Sequence, residues 1–369
     1  MPPLSLLLKP ASSACDLRCA YCFYADEARK REVPDYGMMR DEVARAVVEK
    51  SLAAAEDSIT FLFQGGEPTL AGLEFYRQFT AWVRARVPKG LEVRYSIQTN
   101  GILLDDDWCR FFAQEGFLVG LSLDGNKACH DRFRRDSAGR GTFDRVVKAA
   151  QRLDWHGVEY NVLAVVTGHL ARHIQSVFAF FCKSGFRSQQ YIPCLDPLEE
   201  ERGGRAYSLT PARYGDFLKT LFDLWYRELE QGRYHSIRYF DNLVWMLSGR
   251  QPEQCSMQGA CCRQYMVEAD GSVFPCDFYG LDRYKLGSVL HDPWERLDVA
   301  REELGFIQQS QQVPEGCRAC RWYGLCRNGC RRDRLWEGGG SGQNYYCSSY
   351  DAFFSYALPR LRRARDMLR

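Results

Sequence analysis

The distribution of cysteine constrains this chain most strongly. Three of its 16 cysteines lie within eight residues near the start, at Cys15, Cys19 and Cys22, and nine crowd into residues 255–347. In a reducing compartment, cysteines in such number indicate metal binding or redox chemistry rather than disulfides. We therefore expect two metal-binding regions with a long stretch of ordinary sequence between them.

Composition and charge exclude several classes of protein. The net charge is only +2, which gives no indication of nucleic-acid binding, and 46% hydrophobic residues are enough for a large core. No apolar run approaches the length of a membrane span. The apolar start at residues 4–8 is interrupted by Lys9 and has no cleavage site behind it, which favours a buried strand over a signal peptide. We predict a cytoplasmic protein with no membrane or nucleic-acid partner.

The stretch between the two cysteine regions alternates between strand and helix patterns. Predicted strands cover residues 4–8, 59–63, 91–97, 117–123, 160–166 and 187–192. Predicted helices cover residues 39–55, 75–87, 105–115, 143–155 and 171–181, and further helices cover 211–229, 237–247 and 352–368. Regular alternation implies parallel strands, hence a barrel or a doubly wound sheet. In both architectures the ligand site lies at the carboxyl ends of the strands.

The first cysteine group can converge on one metal centre. Its thiols are spaced by three and then two residues, with no fourth cysteine and no histidine nearby. Structural zinc prefers four protein ligands. Three thiolates on a four-iron cluster instead leave one iron open to another molecule. Iron–sulfur chemistry is therefore favoured over zinc.

This spacing, with an aromatic residue before the last cysteine, resembles the radical S-adenosylmethionine (SAM) superfamily. In that superfamily the open iron takes the amino and carboxylate groups of SAM. The resemblance extends to the Gly-Gly-Glu segment after the second strand, where glycine backbone allows the methionine end a close approach. It implies that SAM is contacted by Tyr21, Gln64, Gly65, Gly66, Glu67, Ser122, Arg134 and Leu195.

The second cysteine group contains enough thiols for two further centres. With Cys262 set aside, whose role we cannot assign, eight remain, and their spacing alone does not separate iron–sulfur clusters from zinc. The run Cys-x2-Cys-x5-Cys-x3-Cys resembles the SPASM extension of radical SAM enzymes. That resemblance implies one cluster on Cys255, Cys261, Cys276 and Cys330, and another on Cys317, Cys320, Cys326 and Cys347.

One carboxylate stands next to a predicted cluster ligand. Asp270-Gly271 is a hairpin turn signal, so we predict a returning strand over residues 273–278 that presents Cys276 to its cluster. On such a strand Asp277 would point to the opposite side. Asp277 is then either a structural carboxylate at the turn or a general base beside the reaction centre.

Several segments resemble the anaerobic sulfatase-maturating enzymes over essentially the whole chain. They include Tyr21-Cys22-Phe23-Tyr24, Phe63-Gln64-Gly65-Gly66-Glu67-Pro68-Thr69, Tyr191-Ile-Pro-Cys-Leu-Asp-Pro197 and Gly271-Ser-Val-Phe-Pro-Cys-Asp-Phe-Tyr279. The resemblance implies a radical SAM oxidoreductase that converts a Cys or Ser of a sulfatase into Cα-formylglycine. It implies three [4Fe-4S] clusters, SAM as co-substrate, and Asp277 as the base.

The same resemblance implies the architecture and the partners. We expect an α/β fold, a partial (β/α)6 TIM-like barrel with a C-terminal SPASM domain, divided into residues 1–235, 236–347 and a terminal helix over 348–369. The expected partners are an unfolded or nascent sulfatase with a Cys/Ser-x-Pro/Ala-x-Arg motif and a flavodoxin- or ferredoxin-type electron donor.

Three alternatives remain open at this point. The first is a SPASM enzyme that crosslinks a ribosomal peptide through a thioether or carbon–carbon bond. The second is a pure iron–sulfur electron carrier, and the third is a binding module with three structural zinc ions. The sequence does not decide between Cys-type and Ser-type sulfatases, and it identifies neither the electron donor nor the oligomeric state.

Overall fold

The structure, a computed structural model, describes residues 4–337 and 340–368. The strands are β1 (Leu4–Leu8), β2 (Ser58–Phe63), β3 (Glu92–Thr99), β4 (Phe117–Ser122), β5 (Tyr160–Val166), β6 (Ser188–Pro193), β7 (Ser236–Ile237), β8 (Tyr265–Val267), β9 (Ser272–Phe274), β10 (Gly287–Ser288), β11 (Arg334–Glu337) and β12 (Gly340–Asn344).

The helices are α1 (Phe23–Arg29), α2 (Asp41–Ala54), α3 (Leu73–Arg86), α4 (Asp106–Glu115), α5 (Lys127–Phe133), α6 (Phe143–Trp155), α7 (Gly168–Arg172), α8 (Ile174–Lys183), α9 (Pro211–Glu230), α10 (Arg238–Leu247), α11 (Trp294–Glu303), α12 (Phe306–Gln311), α13 (Glu315–Arg318), α14 (Tyr323–Cys326) and α15 (Cys347–Met367). In the described part of the chain, none of them has the length and apolar character that a membrane span requires.

The described residues form two compact units. Unit 1 comprises residues of Met1–Ser122, Arg134–Asn161 and Arg263–Leu304. Unit 2 comprises Leu123–Phe133, Val162–Cys262 and residues of Gly305–Arg369. Part of the predicted auxiliary-cluster region therefore belongs to the same unit as the first cysteine loop. The predicted domain division stays a prediction.

Unit 1 is built on a mostly parallel sheet. Strands β1, β2, β3 and β4 pair in parallel in that order, and Leu6 lies opposite Phe61 in the register of β1 and β2. On its other side β1 pairs in parallel with β8, and the antiparallel strands β9 and β10 follow. Aligned parallel strands bring the segments after β1, β2, β3 and β8 to one edge of the sheet.

The core of unit 1 is aromatic where the helices pack on the sheet. Phe63 lies in edge contact with Tyr76 and Phe79 of α3, with ring centroids 5.0 and 5.1 Å apart, and all three are fully buried. Rings in such contacts contribute about 0.5–1.5 kcal/mol per pair beyond the area they bury. This packing holds the end of β2 firmly.

Unit 2 combines a short parallel sheet with long helices. Unit 2 contains β5 from Val162 onward. Strand β5 pairs with β6, and β6 pairs with β7. Helix α15 packs on α9 and α10, where Phe222, Phe240 and Phe353 meet with centroids less than 6 Å apart. Strands β11 and β12 form a separate antiparallel pair.

The alternation predicted for residues 4–195 is confirmed, and the predicted α/β class with it. Two details are wrong. The helix predicted over 171–181 is two helices, because the backbone of His173 leaves the helical region at φ −111° and ψ 15°. The strand predicted over 273–278 ends at Phe274, because Pro275 has no N–H with which to continue the ladder.

Candidate active site

The cysteine loop after β1 brings three thiols into one short folded segment. Cys15, Cys19 and Cys22 lie between β1 and α1, and Cys22 directly precedes the first turn of α1. The N–H of Cys22 donates to the Cys19 carbonyl at 3.1 Å, and the N–H of Leu17 donates to Cys15 Sγ at 3.4 Å. The thiols are therefore presented by an ordered backbone.

Two of the predicted SAM contacts lie beside this loop. Arg134 is only 8% exposed, and its Nη1 lies 3.9 Å from Cys19 Sγ. The guanidinium carbon of Arg134 lies 5.5 Å from the centroid of the Tyr21 ring. A fixed cation thus stands next to the thiols, and its planar fork suits a carboxylate.

The glycine pair after β2 packs against the segment that leads into the cysteine loop. Gly66 donates its N–H to the Ser12 carbonyl at 2.9 Å, and a Cβ at Gly66 would lie 2.0 Å from the Ala14 carbonyl oxygen. At Gly65, φ is 118°, and a Cβ would meet the side chain of Lys9 at 3.0 Å. Close contacts within the protein thus leave no room for a side chain at Gly66 and little at Gly65, and the predicted contact of both glycines with SAM stays a prediction.

Glu67 ties the ends of two strands together. Its Oε1 accepts from the N–H and Oγ1 of Thr69 at 3.1 and 2.6 Å and from Thr99 Oγ1 at 2.7 Å. Its Oε2 accepts from the N–H of Asn100 at 2.8 Å. Burial raises the pKa of Glu67, while these donors from Asn100, Thr69 and Thr99 lower it. With both oxygens engaged, the side chain supports the loop, and its predicted contact with SAM stays a prediction.

The segment after β3 reaches the cysteine loop through a contact that sequence reasoning missed. Asn100 Nδ2 donates to Asp16 Oδ1 at 2.6 Å, and Asp16 follows Cys15 directly. The polar Thr-Asn-Gly sequence at the end of β3 could have indicated a site residue at this position. Asn100 and Glu67 together fix the cysteine loop to two neighbouring strand ends.

Two predicted SAM contacts lie outside this group. Ser122 is buried at the last position of β4 in unit 1. Leu195 is half-buried in unit 2, shortly after β6. Their roles stay predictions.

Asp277 forms a hydrogen-bonded group with two side chains from the start of the chain. Its Oδ2 accepts from the Tyr24 hydroxyl at 3.3 Å and from Gln64 Nε2 at 3.4 Å. Gln64 Nε2 also donates to the Tyr24 hydroxyl oxygen at 2.5 Å. Gln64 follows β2, Tyr24 lies in α1, and Asp277 follows β9, so three strand–helix segments meet here. Gln64, predicted to contact SAM, therefore also contacts the predicted base.

The orientation predicted for Asp277 is wrong. Asp277 begins a short 3-10 helix over Asp277–Tyr279 instead of continuing a strand, and its Oδ1 lies 3.4 Å from Cys276 Sγ. The side chain therefore touches the neighbouring thiol rather than pointing away from it. Burial raises the pKa of the Asp277 carboxyl, and the hydrogen bonds from Cys276 and Tyr24 lower it.

A buried group of charges lies behind Asp277. Lys9 Nζ lies 2.6 Å from Glu268 Oε1, and Arg31 also pairs with Glu268. Burial works against the ionised form of Glu268, but the charges of Lys9 and Arg31 hold its pKa below the ordinary value. Burial raises the pKa of Glu27 to about 8, although Lys9 and Arg31 oppose it. Lys9 acts on all three buried carboxyl groups, Glu27, Glu268 and Asp277, whereas Arg31 acts on Glu27 and Glu268.

Sequence reasoning missed Tyr24 and this charge group. Tyr24 is part of the segment Cys22-Phe23-Tyr24, but nothing in that segment predicted a separate role for its hydroxyl. Glu268 meets Lys9 because β8 pairs with β1, across a separation of 259 residues. A pairing at that range leaves no signal in a single sequence.

The second cysteine group is distributed between the two units. Cys276 belongs to unit 1, and the other predicted auxiliary-cluster ligands belong to unit 2. In unit 2, burial is the largest cause of the raised pKa of Cys326, and Cys347, Cys317 and Cys320 raise it further through their charges. These four thiols, one of the two predicted sets, are therefore neighbours.

The chain matches known proteins over its whole length. The model of the Radical SAM superfamily matches residues 10–181. A cysteine-type anaerobic sulfatase-maturating enzyme from Clostridium perfringens (strain ATCC 13124) is 47% identical over 362 residues, which cover 98% of each chain. A serine-type anaerobic sulfatase-maturating enzyme from Klebsiella pneumoniae is 31% identical over 373 residues, which cover 99% of this chain and 90% of the relative.

A solved structure agrees with these matches. Native anSMEcpe with bound AdoMet and Kp18Cys peptide superposes with a TM-score of 0.94 at 46% identity, and the match covers 99% of each chain. At this similarity the two chains share the same arrangement of strands and helices along their length.

Proposed function

The chain belongs to the anaerobic sulfatase-maturating enzymes, radical SAM oxidoreductases that convert a Cys or Ser of a sulfatase into Cα-formylglycine, and we propose that its substrate is a cysteine-type sulfatase. The supporting observation is the difference in similarity, 47% identity to a cysteine-type relative against 31% to a serine-type one. The substrate is a sulfatase polypeptide that is nascent or unfolded around its Cys-x-Pro-x-Arg segment, and this fits a cytoplasmic location.

The cysteine loop fits a [4Fe-4S] cluster that takes SAM. Its donor set is three thiols in one ordered segment, with the guanidinium of Arg134 3.9 Å from Cys19 Sγ. Cys15, Cys19 and Cys22 would hold the cluster, and Arg134 and Tyr21 would hold SAM next to it. When bound, the cluster and SAM supply a 5′-deoxyadenosyl radical that takes a hydrogen atom from Cβ of the target residue.

Among the remaining predicted SAM contacts, three residues also hold the cysteine loop in place. Gly65 and Gly66 let the end of β2 pack on the cysteine loop, and Glu67 holds that end to β3. They position the loop that binds SAM, and they remain predicted SAM contacts themselves. Ser122 and Leu195 complete the predicted SAM site.

The later cysteines fit two further [4Fe-4S] clusters. Cys317, Cys320, Cys326 and Cys347 would hold one of them, and the mutual influence of these thiols supports that set. Cys255, Cys261, Cys276 and Cys330 would hold the other. Four thiolates on each cluster would leave no iron open to another molecule, so both clusters would serve electron transfer. A flavodoxin or ferredoxin is the expected external electron donor.

Asp277 is the base of this reaction. Once a hydrogen atom has left Cβ, a C=S bond forms only if the target also loses one electron and the thiol proton; an auxiliary cluster would take the electron, and Asp277 accepts the proton. The thioaldehyde then exchanges sulfur for oxygen with water, which releases hydrogen sulfide and leaves the aldehyde. Tyr24 and Gln64 both donate toward Asp277 Oδ2 and thereby fix the carboxylate, which makes them positioning residues.

The decisive experiment is anaerobic incubation with SAM, a reductant and a peptide that contains Cys-x-Pro-x-Arg. We expect the peptide mass to change by the difference between a CH2SH and a CHO group. A matched peptide with Ser at the target position is expected to react much more slowly. Loss of two hydrogens from the Cys peptide, with its sulfur retained, would support a thioether or carbon–carbon crosslink. Faster conversion of the Ser peptide would overturn the cysteine-type assignment.

A further inference from the structure

We propose that Cys129, His169 and His173 form a binding site for a zinc-class divalent metal ion, separate from the cluster cysteines. One sulfur and two imidazole nitrogens from these residues lie within 4.8 Å of one another. Ligands around a tetrahedral zinc ion are about 3.3–3.6 Å apart, given metal–ligand distances of roughly 2.0–2.3 Å. Small side-chain rotations therefore suffice to close the site. Among the residues that the structure describes, no other trio of Cys, His, Asp or Glu is as compact.

All three residues belong to unit 2 and come from two neighbouring segments. Cys129 lies in α5, which follows β4, and is 4% exposed. His169 lies in α7 and His173 caps its end with a non-helical backbone, so the two histidines are four residues apart across the last turn of α7. The two imidazole rings nevertheless lie on the same side, with their centroids 4.3 Å apart.

The backbone around the histidines is held in place. Thr167 Oγ1 accepts from the N–H of Leu170 at 3.1 Å and caps the start of α7. A Cβ at Gly168 would lie 2.5 Å from the Ser208 carbonyl oxygen, so glycine is needed for the chain to pass there. The short helix that carries His169 is therefore fixed at its first turn.

A hydrogen bond prepares His173 for metal binding. His173 Nδ1 lies 2.9 Å from the His169 carbonyl oxygen. A carbonyl only accepts, so Nδ1 carries the proton and the lone pair is on Nε2. Metal-bound histidines commonly donate their second ring N–H to a backbone carbonyl in this way. The contact selects the tautomer that a metal ion needs.

The ligand set indicates the class of metal. Two imidazoles and one thiolate suit zinc better than the hard, oxygen-preferring Mg²⁺ and Ca²⁺. Three protein ligands leave one position for water, and His173 is exposed, so solvent reaches the site. The guanidinium groups of Arg132 and Arg172 are close enough to act on His169, and the negative charge of the thiolate offsets part of their repulsion of the ion.

The ion would connect two helices that are distant in sequence. It joins α5 to the α7–α8 junction, and α5 leads directly into Arg134. With three protein ligands and one open position, the ion differs from a closed four-ligand zinc site, and we infer that its effect is to hold α5 against the α7–α8 junction. A ligand that binds only the folded state stabilises that state by mass action. Added zinc should therefore raise the thermal midpoint.

The test uses the full chain, purified with its iron–sulfur clusters, and measures zinc and iron per chain and the thermal midpoint with and without added zinc. The variants are Cys129→Ser and His173→Ala. Because the His173 side chain is exposed, its removal should leave the fold intact. Cys182→Ser is the control, because Cys182 is a single half-buried thiol in α8 of the same unit.

We expect wild type and Cys182→Ser to carry about one zinc ion per chain and to gain thermal stability when zinc is added. Cys129→Ser and His173→Ala should lose both the ion and the gain, with their iron content unchanged. Equal zinc content and equal shifts in all four proteins would overturn the site. None of these measurements depends on turnover, so the result is independent of the proposed function.

Discussion

Replacing Asp277 by Asn removes the basicity of the side chain while nearly keeping its shape. The Asn carbonyl oxygen can keep the acceptor position that Tyr24 and Gln64 address at 3.3 and 3.4 Å, and the amide nitrogen then faces Cys276 Sγ. The hydrogen bonds from Tyr24 and Gln64 are retained and the one with Cys276 reverses its direction, whereas the ability to take a proton is lost. A general base contributes about 10²–10⁴-fold to a rate. The barrier should therefore rise by about 2.7–5.4 kcal/mol.

The assay follows two products in the same anaerobic reaction, 5′-deoxyadenosine and the formylglycine peptide. The Asp277→Asn variant should still form 5′-deoxyadenosine, while formylglycine per SAM consumed falls steeply. Asp282→Asn is the matched control, because Asp282 begins the next short helix of unit 1 and accepts from the Glu32 N–H at 2.9 Å. That variant should keep its product yield.

Two results would contradict the role of Asp277 as the base. An undiminished yield of formylglycine per SAM in Asp277→Asn would exclude the base. A loss of iron in the variant would show instead that Asp277 supports its neighbour Cys276, as a structural carboxylate.

Three further predictions concern the loop, its support and the buried charges. Replacing Cys15, Cys19 and Cys22 together by Ala should abolish SAM cleavage and leave the iron bound by the later cysteines; residual 5′-deoxyadenosine formation would contradict the assignment. Glu67→Gln should lower the free energy of unfolding by about 1–3 kcal/mol, because an amide NH2 must face one of the four donors, and an unchanged denaturation midpoint would count against this. Because the folded pKa of Glu27, about 8, lies above its ordinary value of 4.5, this group stabilises the fold at low pH, and that contribution is lost as pH rises toward 8. Glu27→Gln should therefore gain stability relative to wild type between pH 5 and 8 in thermal melts, and a difference that is constant with pH would contradict it.

Local sequence pattern predicted most of the fold in residues 4–195. Helix α6 and strand β5 have the predicted ends, because Phe143–Trp155 carries a clear amphipathic period and Tyr160–Val166 is a short apolar segment that contains three valines. The prediction failed at residues 273–278, where Pro275 ends the ladder, and at His173, where no glycine or proline indicates the break between two helices.

The sequence predicted which residues belong to the candidate site but not the contacts between them. The spacing of Cys15, Cys19 and Cys22 is local and could be read directly. The contacts of Asp277 with Tyr24 and Gln64 span 253 and 213 residues, and they depend on the pairing of β8 with β1. The same holds for Cys129 and the two histidines of unit 2, which no motif connects.

The measurement that tests the central claim most directly traces a single hydrogen. A Cys-x-Pro-x-Arg peptide whose target cysteine carries deuterium at Cβ is incubated anaerobically with the enzyme, SAM and reductant. We expect deuterium to appear in 5′-deoxyadenosine while the cysteine becomes an aldehyde that has kept one deuterium. Unlabelled 5′-deoxyadenosine formed alongside aldehyde, or labelled 5′-deoxyadenosine with a crosslinked peptide that retains its sulfur, would contradict it.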